Sequence, residues 1–120
     1  MSKTIVITGC SSGFGRVTAL RLARQGWRVF ATVRNESDRD SLRAEASAQG
    51  TGERVTAVIC DITQAEDVRN LAQIVTAETP QLNALLNNAG TAYPGPLELL
   101  PLDDLRAQFE LNVIAQMGVT

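Results

Sequence analysis

A doubly wound α/β fold built on a parallel sheet is what the sequence predicts, and three observations carry that prediction. Four short apolar runs, the first three rich in β-branched residues, recur along the chain, each followed by a stretch with helical spacing. The runs are close to continuously apolar rather than alternating, which marks strands covered on both faces. The first run ends in a glycine-rich turn, "TGCSSGFG" (Thr8 to Gly15), that leads straight into a helix. No internal repeat, low-complexity tract or linker interrupts the series, so residues 1–120 read as a single domain.

Lys3 to Thr8 is the first strand. Behind the turn, Val17, Leu20, Ala23 and Arg24 keep helical spacing up to Gly26, which suits a C-cap. Trp27 to Val33 is the second strand. "NESDRDSLRAEASAQG" is polar, ends in Gly50 and suits an exposed helix. Arg54 to Cys60 is the third strand, closed by Asp61. Thr63 and Glu66 have the spacing of a capping box, and behind them Val68, Leu71, Ala72 and Val75 form an apolar stripe. Leu82 to Asn87 is the fourth strand. A loop with Pro94, Gly95, Pro96 and Pro101 follows. Leu102, Leu105, Phe109 and Val113 then mark a last helix, with Asp103 and Asp104 in the first turn, where the helix dipole favours acids.

Composition narrows the function. The chain has 120 residues, 44% of them hydrophobic, enough for a packed core. A formal charge of −2 gives no reason to expect nucleic acid or an anionic membrane as partner. No apolar run approaches the roughly 20 residues that cross a bilayer, and "MSKTIVITG" is too short for a signal peptide. A cytoplasmic protein is expected. There is no histidine, so neither a Ser-His-Asp nor a Cys-His set, nor a His-based metal site, can be built within the chain, and no metal is expected. Cys10 and Cys60 form no C-x-x-C pair and read as reduced, structural thiols, with redox sensing by Cys10 as the lesser alternative because its glycine loop looks exposed.

The glycine turn has two chemical readings. Gly9-Cys10-Ser11-Ser12-Gly13 is a literal G-x-S-x-G, the elbow that presents a nucleophilic serine in hydrolases. Against it, Ser11 has no histidine to activate it, and the motif follows the first strand rather than a later one. In the other reading the turn cradles phosphate on the unpaired N–H groups and positive dipole of a helix N-terminus. Gly9 then permits the tight turn, Gly13 lets a diphosphate approach, and Gly15 lets helix and strand pack closely. The cradle is the preferred reading.

Four features stand in order: "TGCSSGFG", Asp61 after the third strand, "NNAG" (Asn87 to Gly90) and Asn112 in the next helix. Together they resemble the N-terminal half of a classical short-chain dehydrogenase/reductase, and the likeness covers essentially the whole chain. The resemblance implies a Rossmann-like, NAD(P)-binding domain of which about the first four strands are present. It implies that Gly9, Gly13 and Gly15, with Phe14 in the same turn, hold the cofactor diphosphate, and that Ser11 and Ser12 hydrogen-bond phosphate or ribose oxygens. Asp61 and the Ile62 backbone would read adenine; Asp61 as a turn cap beside Thr63 is the plainer alternative. Asn87 and Asn88 would steady the sheet, with Asn88, Ala89 and Gly90 beside the nicotinamide ribose, or else form an Asx-rich turn without ligand. Asn112 would hold a water in the family's proton relay and is the one catalytic candidate; a packed or solvated amide is the alternative.

Where NAD-dependent members carry an acid at the end of the second strand, this chain has Val33 and then Arg34. A guanidinium can grip a 2′-phosphate, so NADP(H) is expected, with NAD(H) as the alternative and a plain surface arginine as the bland reading. Arg16 is a lesser candidate for charge at the phosphate site, and Arg21, Arg24 and Arg28 read as a solvated face. The family's catalytic serine and Tyr-x-x-x-Lys are absent: the one tyrosine, Tyr93, has Leu97 four places on, and the one lysine is Lys3. The chain is therefore expected to be the front of a longer oxidoreductase that interconverts an alcohol and a ketone or aldehyde, and to be inactive alone. A short nucleotide-binding module or truncated pseudoenzyme is the alternative. "AYPGPLELLP" and "ATVRN" resemble the steroid- and retinol-like branches, which points to an apolar substrate; a homo-oligomer is expected of the full-length protein.

Overall fold

A computed structural model describes residues 3–90 and 96–120. Tyr93, Pro94 and Gly95, and with them most of the "AYPGPLELLP" loop's first half, lie outside the described residues. Four parallel strands form one sheet: β1 (Thr4–Ile7), β2 (Arg28–Val33), β3 (Val55–Ile59) and β4 (Ala84–Leu86), in the order β3-β2-β1-β4. The chain therefore steps outward from β1 to β3, then returns to the other side of β1. That reversal between β1 and β4 is the place where open α/β sheets form their ligand crevice.

The strands are apolar on both sides because both faces are covered. Ile5 and Ile7 of β1 pack with Val29, Ala31 and Val33 of β2 against α1 (Gly13–Arg24) and α2 (Glu36–Ala48), through Leu20, Ala23, Leu42 and Ala46. Val6 and Phe30 point the other way, onto Leu71 and Val75 of α3 (Ala65–Glu78) and Ala115. Gly26 follows α1 as expected. The last helix has three parts: α4 (Leu102–Phe109), a π-helical turn (Glu110–Ile114) and α5 (Ala115–Val119). One-turn 3₁₀ segments, Gly52–Arg54 and Leu97–Leu99, precede β3 and α4.

Four local expectations are corrected. β4 is three residues long rather than six, because the Asn83 side chain takes over pairing at its start. Asn83 Oδ1 accepts from the Thr4 N–H at 2.8 Å and from the Thr4 hydroxyl at 3.2 Å. The Thr63–Glu66 capping box does not form: Gln64 is the N-cap of α3 and makes no side-chain cap bond, while Thr63 turns to Asp61. Arg28 belongs to β2, not to a helical face with Arg21 and Arg24; it pairs with Glu78 and lies over the Phe30 ring at 5.1 Å. The periodic last helix is interrupted by the π turn, which holds Asn112 at its centre.

Candidate functional site: a cleft at the carboxyl ends of the strands

The glycine turn is built by two buried threonines. Thr8 directly follows β1, and its hydroxyl accepts the N–H groups of both Asn88 and Ala89 at 3.0 Å. Thr32, in β2, accepts the Gly9 N–H on its hydroxyl at 3.1 Å and the Cys10 N–H on its carbonyl at 2.8 Å. The first two amides of the turn are thus committed to β2. What remains for an anion is the start of α1. Ser12, its N-cap, makes no side-chain cap bond, and the first turn of α1 holds no acid. By contrast α2, α3 and α4 each carry two acids there, Glu36 and Asp38, Glu66 and Asp67, and Asp103 and Asp104. The dipole of α1 is left uncompensated where an anionic ligand would sit.

The three glycines differ in their reasons. Gly9 has φ +74°, and a Cβ there would come within 2.7 Å of Ala89 Cα. Gly13 has φ +63° and open space where its Cβ would be. At Gly15 a Cβ would fall 2.3 Å from the Gly9 carbonyl oxygen and 2.5 Å from Asn88 Nδ2. Gly15 therefore presses α1 against the turn and the end of β4.

Around the turn lies a cleft of about 670 Å³, within the range of small-molecule sites. Gly9, Ser11, Ser12 and Phe14 line it from the turn, Arg34 from the end of β2, Asp61 and Ile62 from the end of β3, and Asn88, Ala89 and Gly90 from the end of β4. Gly13 and Gly15 shape the turn without lining the cleft. Ser11 Oγ accepts the Arg34 N–H at 3.2 Å, which ties the turn to the end of β2. Asp61 Oδ1 accepts from Thr63 N–H (3.0 Å) and Thr63 hydroxyl (2.6 Å), the turn-cap arrangement, and the Asp61 N–H donates to Asp67. Asn88 donates its amide to the Gly9 carbonyl at 3.1 Å, so its side chain braces the turn. Asn87 donates to the Thr120 hydroxyl.

Asn112 is brought to the edge of this assembly but does not line the cleft. Its Oδ1 lies 3.1 Å from where a Gly90 Cβ would be, a tight approach that the glycine leaves open. Arg16 is directed away from the cleft: Nε reaches Glu45 at 3.2 Å and Nη2 reaches Ser41. Cys10 is fully buried rather than in an exposed loop, with its thiol against the Ile7 carbonyl, and burial pushes its pKa up to about 12. Cys60 borders the cleft; burial, then the carboxylates of Asp67 and Asp61, push its pKa up to about 11. Both are free thiols held protonated, which removes the basis for redox sensing at Cys10.

Sequence reading overlooked Thr32, Ala107, Leu111 and the hydroxyl of Thr8. A threonine directly before the first glycine was a usable signal for Thr8. Thr32 becomes a partner of Gly9 only once β1 and β2 pair, and no local pattern announces that.

Sheet order, the glycine turn and a cleft across the strand ends together define a Rossmann-like domain. The chain belongs to the short chain dehydrogenase family, whose model matches residues 3–120. It is 37% identical over 98% of its length to the uncharacterized oxidoreductase YusZ of Bacillus subtilis (strain 168), covering 41% of that protein. It is 36% identical over 97% of its length to retinol dehydrogenase 5 of Homo sapiens, covering 36% of that protein. Among solved structures it matches an actinorhodin polyketide ketoreductase with NADPH at a TM-score of 0.90 and 26% identity, covering 98% of this chain and 44% of that one. The chain thus spans less than half the length of the relatives it matches.

Among the described residues, no helix is long and apolar enough to cross a membrane, and no cluster of His, Cys, Asp and Glu could hold a metal ion.

Proposed function

We infer that this chain is the NADP(H)-binding part of a short-chain oxidoreductase that interconverts an alcohol and a ketone or aldehyde. One observation carries the reading: Arg34, preceded by Val33 rather than an acid, stands on the wall of a cleft whose floor is an acid-free helix N-terminus. The residues fit a dinucleotide. Ser11, Ser12 and the start of α1 would receive the diphosphate, Arg34 the 2′-phosphate, Asp61 and Ile62 the adenine, and Ala89 and Gly90 the nicotinamide half. The bound nicotinamide would supply or accept a hydride. Asn112, beside Gly90, would order a water for proton transfer. The likeness to a ketoreductase solved with NADPH supports the cofactor assignment.

The tyrosine–lysine pair that would move the proton is not in this chain, whose one lysine, Lys3, directly precedes β1 at the end of the sheet opposite the cleft. The chain alone binds cofactor without turnover, and the complete enzyme is a cytoplasmic homo-oligomer. Its proposed substrate is an apolar alcohol or ketone, in keeping with the name of retinol dehydrogenase 5. Large apolar side chains exposed on α4 and α5, such as Phe109 and Met117, offer a surface for the rest of such an enzyme.

Calorimetric titration with NADPH and NADH tests the reading. The expected result is NADPH binding tighter by about tenfold or more, and a loss of that preference in Arg34→Ala, since a charge-assisted bond to phosphate contributes about 1.5–3 kcal/mol. Equal binding of the two cofactors, or NADPH binding unchanged in Arg34→Ala, would overturn the assignment.

A further inference from the structure

Gln116 stands one helical turn beyond Asn112, where α5 leaves the π turn. Its amide nitrogen donates to the Ala89 carbonyl at 2.6 Å and to the Leu111 carbonyl at 3.0 Å. Two carbonyl oxygens on one side fix which end of the amide faces them. Leu111 lies inside the π turn, where the Ala115 N–H reaches back five residues to Glu110. One side chain therefore fastens the distorted helix to the end of β4.

The remaining oxygen, Oε1, is buried with no partner among the described residues. Its chain neighbour Ala115 and its two carbonyl partners' residues, Ala89 and Leu111, belong to one apolar cluster, and a hydrocarbon side chain at this position would avoid an unpaired acceptor. The amide is worth that cost only for its two donated bonds. Ala89 lines the cleft and Gln116 does not, so whatever Gln116 does for a ligand it does through Ala89.

We propose that Gln116 is a positioning residue: by clamping the Ala89 carbonyl to the helix that carries Asn112, it sets the shape of the cleft at its β4 end and with it affinity for the nicotinamide half of the cofactor. This rests on the NADP(H) reading above. The sheet order β3-β2-β1-β4 places the β4 end of the cleft away from Arg34 and Asp61, which follow β2 and β3. Loss of the clamp therefore weakens one half of the ligand and spares the other.

The test is calorimetric titration of Gln116→Met, which keeps the length and loses the donor, and of Gln116→Glu, which turns an acceptor toward the Ala89 carbonyl. Each is titrated with NADPH and with 2′,5′-ADP, which lacks the nicotinamide half. The proposal expects NADPH to weaken about threefold to tenfold, the worth of a lost hydrogen bond, with 2′,5′-ADP unchanged. A purely structural residue would weaken both ligands together. Parallel losses, no loss of either ligand, or failure of both variants to fold would overturn the proposal while wild-type NADPH binding still upheld the cofactor reading. If the wild-type chain bound neither ligand, the cofactor reading itself would fall, and the proposal with it.

Discussion

Cys10 is the smallest unit at which the fold speaks about pH. Its thiol is buried behind the glycine turn with a pKa near 12, against an ordinary value of about 8.5 for an unfolded cysteine. Below about pH 8.5 both states keep the proton and the thiol adds no pH dependence. Between that value and the folded pKa, the unfolded chain releases a proton that the folded chain retains, so stability falls as pH rises, by roughly 1 kcal/mol per pH unit. Urea denaturation of the wild type and Cys10→Ala at about pH 7.5 and about pH 10 checks this. The variant should lose less stability between the two pH values, and parallel losses would contradict the burial argument. The same residue shows what a sequence hides. Cys10 reads as exposed because glycines and serines surround it, yet the turn folds its side chain inward under the Ile7 carbonyl. Thr32 is invisible for a related reason: its bond to Gly9 spans 23 residues and exists only across a strand pair.

At the scale of elements, the packing of α1 on the strand ends depends on Gly15. A methyl group there would meet the Gly9 carbonyl oxygen, a backbone atom, at 2.3 Å, and the side-chain amide of Asn88 at 2.5 Å. Gly15→Ala should destabilise the domain by about 1–3 kcal/mol, the usual cost of overpacking. Gly13→Ala meets no neighbour and pays only for its left-handed backbone, about 1 kcal/mol. Thermal unfolding orders the two, and a Gly15→Ala variant as stable as wild type would refute the close approach. The strands were legible because β-branched runs bounded by turn residues have few other uses. The shortness of β4 was not, since Asn83 reads as a strand-end residue until its side chain is seen to replace the ladder at Thr4. Nor was the π turn: the stripe Leu102, Leu105, Phe109 and Val113 runs through it without a break.

Over the whole molecule, β4 pairs on one side only among the described residues, and Leu102, Phe109, Val113, Ile114 and Met117 stand exposed along the last helix. The glycine turn and Arg34 follow β1 and β2, the two strands that are paired on both sides. Sequence motifs marked the corners of the cleft, namely Gly9, Arg34, Asp61 and Gly90, because each stands at a strand end with a polar or glycine signature. They did not reveal what joins the corners, which is the set of Thr8, Ser11, Thr32 and Asn88 bonds between non-adjacent segments.

The most direct measurement of the central claim is an amide NMR titration of the chain with NADPH. Shifts should concentrate on Ser11 to Gly15, Arg34, Asp61 to Thr63 and Ala89 to Gly90, leaving the opposite ends of the strands, near Lys3, Arg28 and Asn83, unmoved. Saturable binding whose shifts fell at those opposite ends, or no binding at all, would contradict a dinucleotide site at the carboxyl ends of the strands.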